Sequence, residues 1–259
     1  MNALRARKRF GQNFLTDPGV VARIVGLIGA GPEDHLVEIG PGRRALTDPL
    51  AERAGQLTLV EIDRDLGRSL SAHFAGRANV TVLVGDALAV DFATLATDRP
   101  LRVVGNLPYN ISTPLILHLL QHTGVITDMT FMLQKEVVDR LAAVVGTADY
   151  GRLSVMVQSV CTVEACFEVA PEAFDPVPRV TSRLVRITPH THAMPPSERI
   201  ALEQCVRIAF GQRRKTLRNT LGKAYPADML SRCGIDVSER PADVPVDNYM
   251  RLASALAED

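Results

Sequence analysis

The stretch HLVEIGPGRRALT, residues 35–47, runs from an apolar segment through a glycine-rich turn into a helical pattern. Within it, Gly40, Gly42 and Ala45 satisfy the spacing G-x-G-x-x-G/A. An acidic residue, Glu61, ends the next apolar segment about twenty residues later. Glycines let a ligand approach the backbone at a helix start, and a carboxylate accepts hydrogen bonds from ribose hydroxyls. The pattern predicts a site for an adenosine-containing cofactor, either NAD or S-adenosylmethionine, although a simple chain reversal would also explain the glycines.

Apolar segments and helix-like segments alternate from about residue 35 to residue 160. The strand-like segments are HLVEIG, LTLVEID, VTVLVGD, LRVVGN and MTFMLQ. Such alternation predicts a mainly parallel sheet covered by helices on both faces. Two strand-like segments, LSVMVQSV and TVEACFEV, then follow each other directly, and SRLVRIT follows a proline-rich loop. We therefore expect an α/β fold whose sheet ends in antiparallel strands.

A segment rich in proline, PHTHAMPPS at residues 189–197, interrupts this pattern and predicts a linker. After it, SERIALEQCVRIAF and DNYMRLASALAE have helical apolar spacing, with Ser197 as a candidate N-cap. We therefore predict one domain over residues 1–195, with a basic N-terminal arm, and a small helical domain over residues 196–259.

The charges balance, because lysine plus arginine and aspartate plus glutamate each number 29. The basic residues nevertheless cluster in two segments. These are Arg5, Arg7, Lys8 and Arg9 near the N-terminus, and Arg213, Arg214, Lys215 and Arg218 further along. Clustered guanidinium groups suit phosphates, although a solvated basic face would have the same pattern. The two clusters predict contacts with a nucleic acid.

The remaining composition is that of a soluble globular protein, with 46% hydrophobic and 22% charged residues. The cysteines Cys161, Cys166, Cys205 and Cys233 are far apart, and no histidine lies at metal-ligand spacing from them. We therefore expect free thiols and no metal. No segment approaches the ~18 uninterrupted apolar residues of a membrane span, and the N-terminal residues lack the pattern of a signal peptide. These features predict a cytoplasmic protein with no membrane partner.

Two further strand-like segments also end in residues whose side chains can bind a ligand or take part in a reaction. The segment VTVLVGD ends in Asp86, whose carboxylate can accept a hydrogen bond from an adenine amine. The segment LRVVGN leads into LPY at residues 107–109. An aromatic amine attacks a methyl group poorly because its lone pair is delocalised into the ring. Hydrogen-bond acceptors on its two protons help the nitrogen to become pyramidal.

The stretch GNLPYN, residues 105–110, offers such acceptors. The Asn106 amide oxygen is the first and the Leu107 carbonyl is the second, with its direction fixed by Pro108. Tyr109 offers a face on which a base can stack. A turn closed by proline over a packed tyrosine is the structural alternative. The chemistry favours methyl transfer from a sulfonium to a base amine over hydride transfer in a dehydrogenase.

Nine segments spread over almost the whole chain form a specific set. They are RKRFGQNFL (7–15), VEIGPG (37–42), EIDRDL (61–66), GDAL (85–88), NLPYNIST (106–113), FMLQKEVVDRL (131–141), YGRLSVM (150–156), FDPVPRV (174–180) and QRRKTLRN (212–219). As a set they resemble the ribosomal RNA adenine N6,N6-dimethyltransferases, specifically the bacterial small-subunit (KsgA or RsmA) type. The resemblance implies a Rossmann-like class I methyltransferase sheet and a C-terminal helical domain that docks on RNA.

The resemblance also implies the roles of individual residues. The S-adenosylmethionine site would be lined by Asn13, Leu15, Gly40, Glu61, Asp86 and Asn106, with Gly42 allowing close approach. Tyr109 and Phe174 would sandwich the target adenine. The family transfers four methyl groups to two adjacent adenosines in the 3′-terminal hairpin loop of small-subunit rRNA, late in subunit assembly. The implied partner is therefore rRNA in an assembling 30S-type subunit, and we expect a monomer because RNA must reach an open face.

Several alternatives remain open from the sequence. Phe174 can equally be a core residue, which is an ordinary place for an aromatic ring. Arg44 stands where the family usually has a small residue, so its side chain either crowds the turn or points outward beside Arg43. A methyltransferase acting on large-subunit rRNA and a non-catalytic ribosome-assembly factor are the functional alternatives.

Overall fold

The computed structural model describes residues 12–192 and 194–258, and the chain divides into two compact units. The first unit comprises the chain up to residue 138 together with residues 164–189. The second comprises residues 139–163 and the chain from residue 190 onward. The sequence predicted a single boundary near residue 195, whereas residues 139–163 group here with the C-terminal part. The division into a methyltransferase domain and an RNA-docking domain stays a prediction.

Nine strands lie within the described residues. They are β1 (Phe14–Leu15), β2 (His35–Ile39), β3 (Gln56–Glu61), β4 (Val80–Val84), β5 (Leu101–Asn106), β6 (Ile126–Gln134), β7 (Cys161–Val169), β8 (Phe174–Asp175) and β9 (Ser182–Pro189). Seven of them form one sheet in the order β4-β3-β2-β5-β6-β9-β7, and β1 pairs separately with β8. The strands from β4 to β6 are parallel, and β9 runs antiparallel to β6. The predicted mainly parallel sheet with an antiparallel end is confirmed.

The described helices mostly follow the strands in the expected alternation. They are α1 (Pro18–Ile28), α2 (Thr47–Ala51), α3 (Arg64–His73), α4 (Ser112–Leu119), α5 (Lys135–Leu141), α6 (Arg152–Gln158), α7 (Pro196–Phe210), α8 (Leu221–Ala224), α9 (Ala227–Arg232) and α10 (Val246–Glu258). Aspartate caps start two of them, since Asp17 accepts from the backbone N–H groups at the start of α1 and Asp63 does so for α3. None of the described helices is long and apolar enough to cross a membrane.

The central strands are largely apolar, as expected for a sheet covered on both faces. All five residues of β2 are buried. At the end of β5, a Cβ added to Gly105 would lie 2.5 Å from the Ile39 carbonyl oxygen, so only glycine fits between the two neighbouring strands. This close approach brings the ends of β2 and β5 together.

One predicted strand is wrong. The segment LSVMVQSV lies mainly in α6, in which the five residues Leu153 to Val157 are all buried. Because this short helix has apolar residues on every side, its sequence lacks the alternation that separates a helix from a strand, and its valines favour the strand prediction. The next segment, TVEACFEV, does lie in β7, and SRLVRIT lies in β9.

The second unit is helical, as predicted, with α7 packed on α10. Two buried tyrosines support it: the Tyr150 hydroxyl donates to the Val244 carbonyl at 3.0 Å, and the Tyr249 hydroxyl donates to the Pro241 carbonyl at 2.9 Å. The prediction that Ser197 caps α7 is wrong. The helix begins at Pro196, whose fixed φ suits the first turn, so Ser197 lies inside that turn.

Candidate cofactor and base-binding site

The carboxyl ends of β2, β3, β4 and β5 lie along one edge of the sheet and line a cavity. This is the edge at which open α/β sheets bind their ligands. The cavity brings together ten residues that the sequence singled out. They are Asn13, Leu15, Gly40, Gly42, Glu61, Asp86, Asn106, Leu107, Pro108 and Tyr109.

The glycine-rich turn after β2 needs left-handed backbone at two glycines, with φ of 70° at Gly40 and 54° at Gly42. A Cβ on Gly42 would lie 3.0 Å from the Phe14 ring of β1. The turn and β1 therefore pack directly on each other, which places the N-terminal strand along the cavity. Phe14 itself lines the cavity, although the sequence analysis gave it no role.

The Glu61 carboxylate is held in a fixed position at the end of β3. Its two oxygens accept hydrogen bonds from the backbone N–H of Asp63 at 2.9 Å and of Gly42 at 3.3 Å. Burial raises the pKa of Glu61, and these two hydrogen bonds oppose the rise. Each oxygen keeps a lone pair for a further donor. After β4, the exposed Asp86 carboxylate accepts from the Leu88 N–H at 2.9 Å and also lines the cavity.

A second carboxyl group, Glu38, lines the cavity and was missed by the sequence analysis. It is 2% exposed, and its Oε2 has no hydrogen-bond partner among the described residues. Burial raises its pKa from the ordinary 4.5 to about 8; the Thr47 hydroxyl opposes this rise, and the charge of Glu61 adds to it. The signal in the sequence was an acidic residue inside the otherwise apolar segment HLVEIG. Gln12 and Ile62 also line the cavity and were not predicted.

The side-chain amide of Asn106 has a defined orientation. Its Nδ2 donates to the Asn13 backbone carbonyl at 2.9 Å. Because a carbonyl can only accept, the amide nitrogen must face Asn13, and the Oδ1 acceptor is left for another donor. The following residue is fixed as well, since the Leu107 N–H donates to the Met132 carbonyl on β6 at 3.2 Å. Asn106 thus lines the cavity with its amide nitrogen bound to Asn13, and the role of its oxygen as the acceptor stays a prediction.

Tyr109 is half-buried and lines the same cavity. Its hydroxyl shares a hydrogen bond of 2.8 Å with the Ser182 hydroxyl. Burial raises the pKa of the Tyr109 phenol, which the hydrogen bond to Ser182 opposes. The phenol is therefore neutral at neutral pH.

Phe174 is not among the residues that line the cavity beside Tyr109 in the described structure, and its role against the target base stays a prediction. The Phe174 side chain is 2% exposed and packs in the core of the first unit. The cause is the pairing of β8 with β1, in which Phe174 lies opposite Leu15 and both side chains turn inward. Successive strand residues point to opposite faces, and the next residue, Asp175, is exposed and accepts from Arg43 at 2.8 Å.

The Arg44 side chain does not line the cavity. It is directed toward α2, where its Nη1 lies 3.7 Å from the Asp48 carboxylate. Its backbone is left-handed, with φ of 70°, a conformation that is unfavourable by ~1 kcal/mol or more for a residue with a Cβ. Glycine, which lacks a Cβ, is the residue that would relieve this strain. The neighbouring Arg43 instead lies over the Phe14 ring, 4.4 Å from its centroid.

The predicted RNA-binding residues are only partly described. Arg7, Lys8 and Arg9 lie outside the described residues. In the second unit, the predicted residues are Arg213, Arg214, Lys215 and Arg218, all exposed. Arg213 donates to the Ala148 and Tyr150 carbonyls, so it also supports the fold. The helix α7 ends at Phe210, and Arg218 lies beyond it in the short 3₁₀ turn Leu217–Asn219.

The sheet order and the cavity at its carboxyl edge define a class I methyltransferase fold. The chain belongs to the ribosomal RNA adenine dimethylase family, whose family model matches residues 3–258. The resemblance found in the sequence motifs is thereby confirmed.

Relatives and solved structures agree with this assignment. The chain is 54% identical to the "Ribosomal RNA small subunit methyltransferase A" of Pseudomonas syringae pv. syringae (strain B728a), over 98% of this chain and 96% of that protein. It is similar to the crystal structure of a dimethyladenosine transferase from Plasmodium falciparum, with 25% identity and a TM-score of 0.78 over 92% of this chain and 95% of the other. The crystal structure of the 23S rRNA methyltransferase ErmE matches with 28% identity and a TM-score of 0.72, over 94% of this chain and 99% of that one.

Proposed function

We propose that this protein transfers methyl groups from S-adenosylmethionine to the N6 amines of two adjacent adenosines in the 3′-terminal hairpin loop of small-subunit rRNA, two methyl groups to each. The observation that carries the proposal is the oriented Asn106 amide, which lies at the same cavity as Glu61 and Asp86. The name of the 54% identical relative supports the small subunit as the substrate.

The cavity has the polar groups that S-adenosylmethionine requires. The Glu61 carboxylate would accept from the ribose hydroxyls, and the Asp86 carboxylate from the adenine amine. The left-handed turn at Gly40 and Gly42 leaves no side chain between its backbone and the cavity. The buried Oε2 of Glu38, which has no partner among the described residues, is a further polar atom that a ligand would satisfy. When bound, S-adenosylmethionine supplies an activated methyl group on a sulfonium.

The residues after β5 prepare the accepting nitrogen. The Asn106 Oδ1 and the Leu107 carbonyl accept hydrogen bonds from the two protons of the adenine amine, which favours a pyramidal, nucleophilic nitrogen. The Tyr109 ring supports the base by stacking. No strong base is needed, because the methylated amine is cationic and acidic, and it releases its proton to water. Phe174, the predicted partner of Tyr109, is buried in the described structure and would have to become exposed to contact the base.

The basic segment of residues 213–218 supplies charge for RNA phosphates. Structured RNA is recognised largely through its shape, its phosphates and its unstacked loop bases, and a base that is methylated must leave its stack. The partner we propose is small-subunit rRNA within an assembling 30S-type subunit. We propose that the protein acts there as a monomer, in the cytoplasm.

The test is methyl transfer from labelled S-adenosylmethionine to small ribosomal subunits that lack these methyl groups and, separately, to large subunits. Modified nucleotides are identified by mass spectrometry. We expect dimethyladenosine in the small subunit alone. Transfer to the large subunit alone would favour a methyltransferase of the kind that ErmE is named for. Binding to small subunits without any transfer would instead favour the non-catalytic assembly factor.

A further inference from the structure

The hydrogen bond between Tyr109 and Ser182 joins the cavity to β9, two strands away from β5 in the sheet. Ser182 is the first residue of β9 and is fully buried, with 0% exposure. Its backbone is paired in register with Gln134 at the end of β6. Since a residue within a paired central strand has little freedom, the Ser182 hydroxyl is a fixed point in the first unit.

Tyr109, by contrast, lies in the loop between β5 and α4 and is held at both ends by serine hydroxyls. The Ser112 hydroxyl donates to the Tyr109 backbone carbonyl at 3.2 Å, and the Ser182 hydroxyl meets the Tyr109 phenol at 2.8 Å. Without the hydrogen bond to Ser182, the side chain of a tyrosine in a loop could change between rotamers. The contact to Ser182 therefore determines where the ring lies.

Of the aromatic residues that line the cavity, Tyr109 is the one whose side chain is partly exposed. Phe14 and Tyr109 are the aromatic residues among the described cavity lining. Phe14 is buried and packs under Arg43, whereas Tyr109 is only half-buried. The Tyr109 hydroxyl is hydrogen-bonded to Ser182, and the ring is the part of this side chain on which a base can stack. Because Phe174 is in the core, no second described ring compensates for a misplaced Tyr109 at this cavity.

We propose that Ser182 is a positioning residue for the target base, holding the Tyr109 ring in the place where the adenine stacks. The proposal rests on the function proposed above. Ser182 touches neither cofactor nor base in this role, and it acts only through the Tyr109 hydroxyl. Its effect should therefore appear with RNA as substrate and be absent from cofactor binding.

Four proteins test this role: the wild type, Ser182→Ala, Tyr109→Phe and the double variant. Methyl transfer to undermethylated small subunits gives kcat/KM for each, and calorimetry gives the Kd for S-adenosylmethionine. We expect each single variant to lose about 10-fold in kcat/KM for RNA, the upper range for one hydrogen bond. The double variant should be no worse than either single variant, because both remove the same hydrogen bond. The cofactor Kd should stay unchanged.

A control variant separates positioning from stability. Ser159→Ala removes another buried serine hydroxyl, which donates to the Met156 carbonyl at 3.0 Å in the second unit. It should lower thermal stability about as much as Ser182→Ala and leave kcat/KM unchanged. If Ser182→Ala does not fold, Tyr109→Phe alone tests the proposal, because it breaks the same hydrogen bond and keeps the ring.

Three outcomes would overturn the proposal, the first two without touching the proposed function. Losses from Ser182→Ala and Tyr109→Phe that multiply in the double variant, or a Tyr109→Phe protein with wild-type kcat/KM, would exclude the role of Ser182 while leaving the proposed function intact. A folded wild-type protein that binds S-adenosylmethionine and methylates no rRNA would contradict the proposed function, and the role of Ser182 with it.

Discussion

At the end of β5, one of the two polar atoms of the Asn106 amide is occupied by the Asn13 carbonyl. The remaining oxygen is the acceptor on which the proposed reaction depends. A hydrogen-bond partner aimed at the reacting group in a water-excluded site contributes about 100-fold or more to the rate. We therefore expect Asn106→Ala to lower kcat for methyl transfer by about that factor.

Binding of S-adenosylmethionine should weaken much less in Asn106→Ala, because Glu61, Asp86 and the glycine turn are unchanged. Single-turnover methylation together with calorimetric titration of the cofactor separates the two effects. A variant with wild-type turnover would refute the assigned role. Asn106→Asp is a useful second variant: it restores an acceptor but places a carboxylate oxygen against the Asn13 carbonyl, so it should remain slow.

The raised pKa of the buried Glu38 carboxyl predicts that the stability of the fold depends on pH. Its pKa is about 8 in the folded protein and 4.5 ordinarily. Between these values the folded state holds a proton that the unfolded state has lost, so the free energy of unfolding should fall as pH rises from 4.5 to 8. The slope from this group is at most about 1.4 kcal/mol per pH unit. The raised pKa of Glu61 acts in the same direction.

The measurement is urea unfolding at a series of pH values for the wild type and Glu38→Gln, which cannot ionise. We expect a flatter profile for Glu38→Gln, with a relative gain in stability that grows from pH 4.5 and levels off above pH 8. Glu33→Gln, at a carboxylate whose side chain is 93% exposed, is the matched control and should leave the profile as it is. Identical slopes for wild type and Glu38→Gln would show that Glu38 ionises normally.

At the scale of elements, the glycine turn and β1 depend on each other. A methyl group at Gly42 would meet the Phe14 ring at 3.0 Å and would force a left-handed φ on a residue with a Cβ. We expect Gly42→Ala to introduce about 1–3 kcal/mol of strain, to displace β1 and to weaken cofactor binding by roughly 10-fold. Titration with S-adenosylmethionine measures the binding.

The control for Gly42→Ala is Gly26→Ala in α1, where an added Cβ meets nothing within 4 Å. Alanine in a helix interior should stabilise the protein slightly and leave the cofactor Kd unchanged. Equal effects of the two substitutions would mean that contact with Phe14 has no bearing on the site.

The elements themselves differ in how far the sequence predicts them. The strands from β2 to β6 and the residues at their ends follow from apolar runs and glycines, which are local signals. The helix α6 has no such signal, because it is buried on all sides. The inward direction of Phe174 follows from its pairing with Leu15, and the orientation of the Asn106 amide from Asn13. These contacts join segments far apart in the chain, and no local pattern contains them.

At the scale of the whole molecule, the proposed binding of RNA depends on the positive charge of exposed arginines. Arg214→Glu combined with Arg218→Glu should weaken binding to small-subunit rRNA and reduce its dependence on salt. The slope of log Kd against log salt concentration should fall by about one unit for each phosphate that an arginine no longer neutralises. The cofactor Kd should not change. A filter-binding titration at several salt concentrations is the measurement.

Arg232→Glu, at another exposed arginine of the second unit, is the control for this pair and should have a smaller effect. If binding is the same across the salt series for the wild type and the double variant, residues 213–218 do not bind the RNA.

The pairing of β1 with β8 also has a consequence for protein synthesis. The Thr16 N–H reaches the Ala173 carbonyl at 2.8 Å, across 157 positions of the chain. While the protein is being translated, β1 has no partner until residue 174 has left the exit tunnel, on the order of ten seconds later at ordinary elongation rates. Because Asn13 immediately precedes β1 and orients Asn106, the nascent chain has no complete methylation site during that interval. The protein that is proposed to methylate ribosomal RNA would thus complete its methylation site only near the time of its release from the ribosome that makes it.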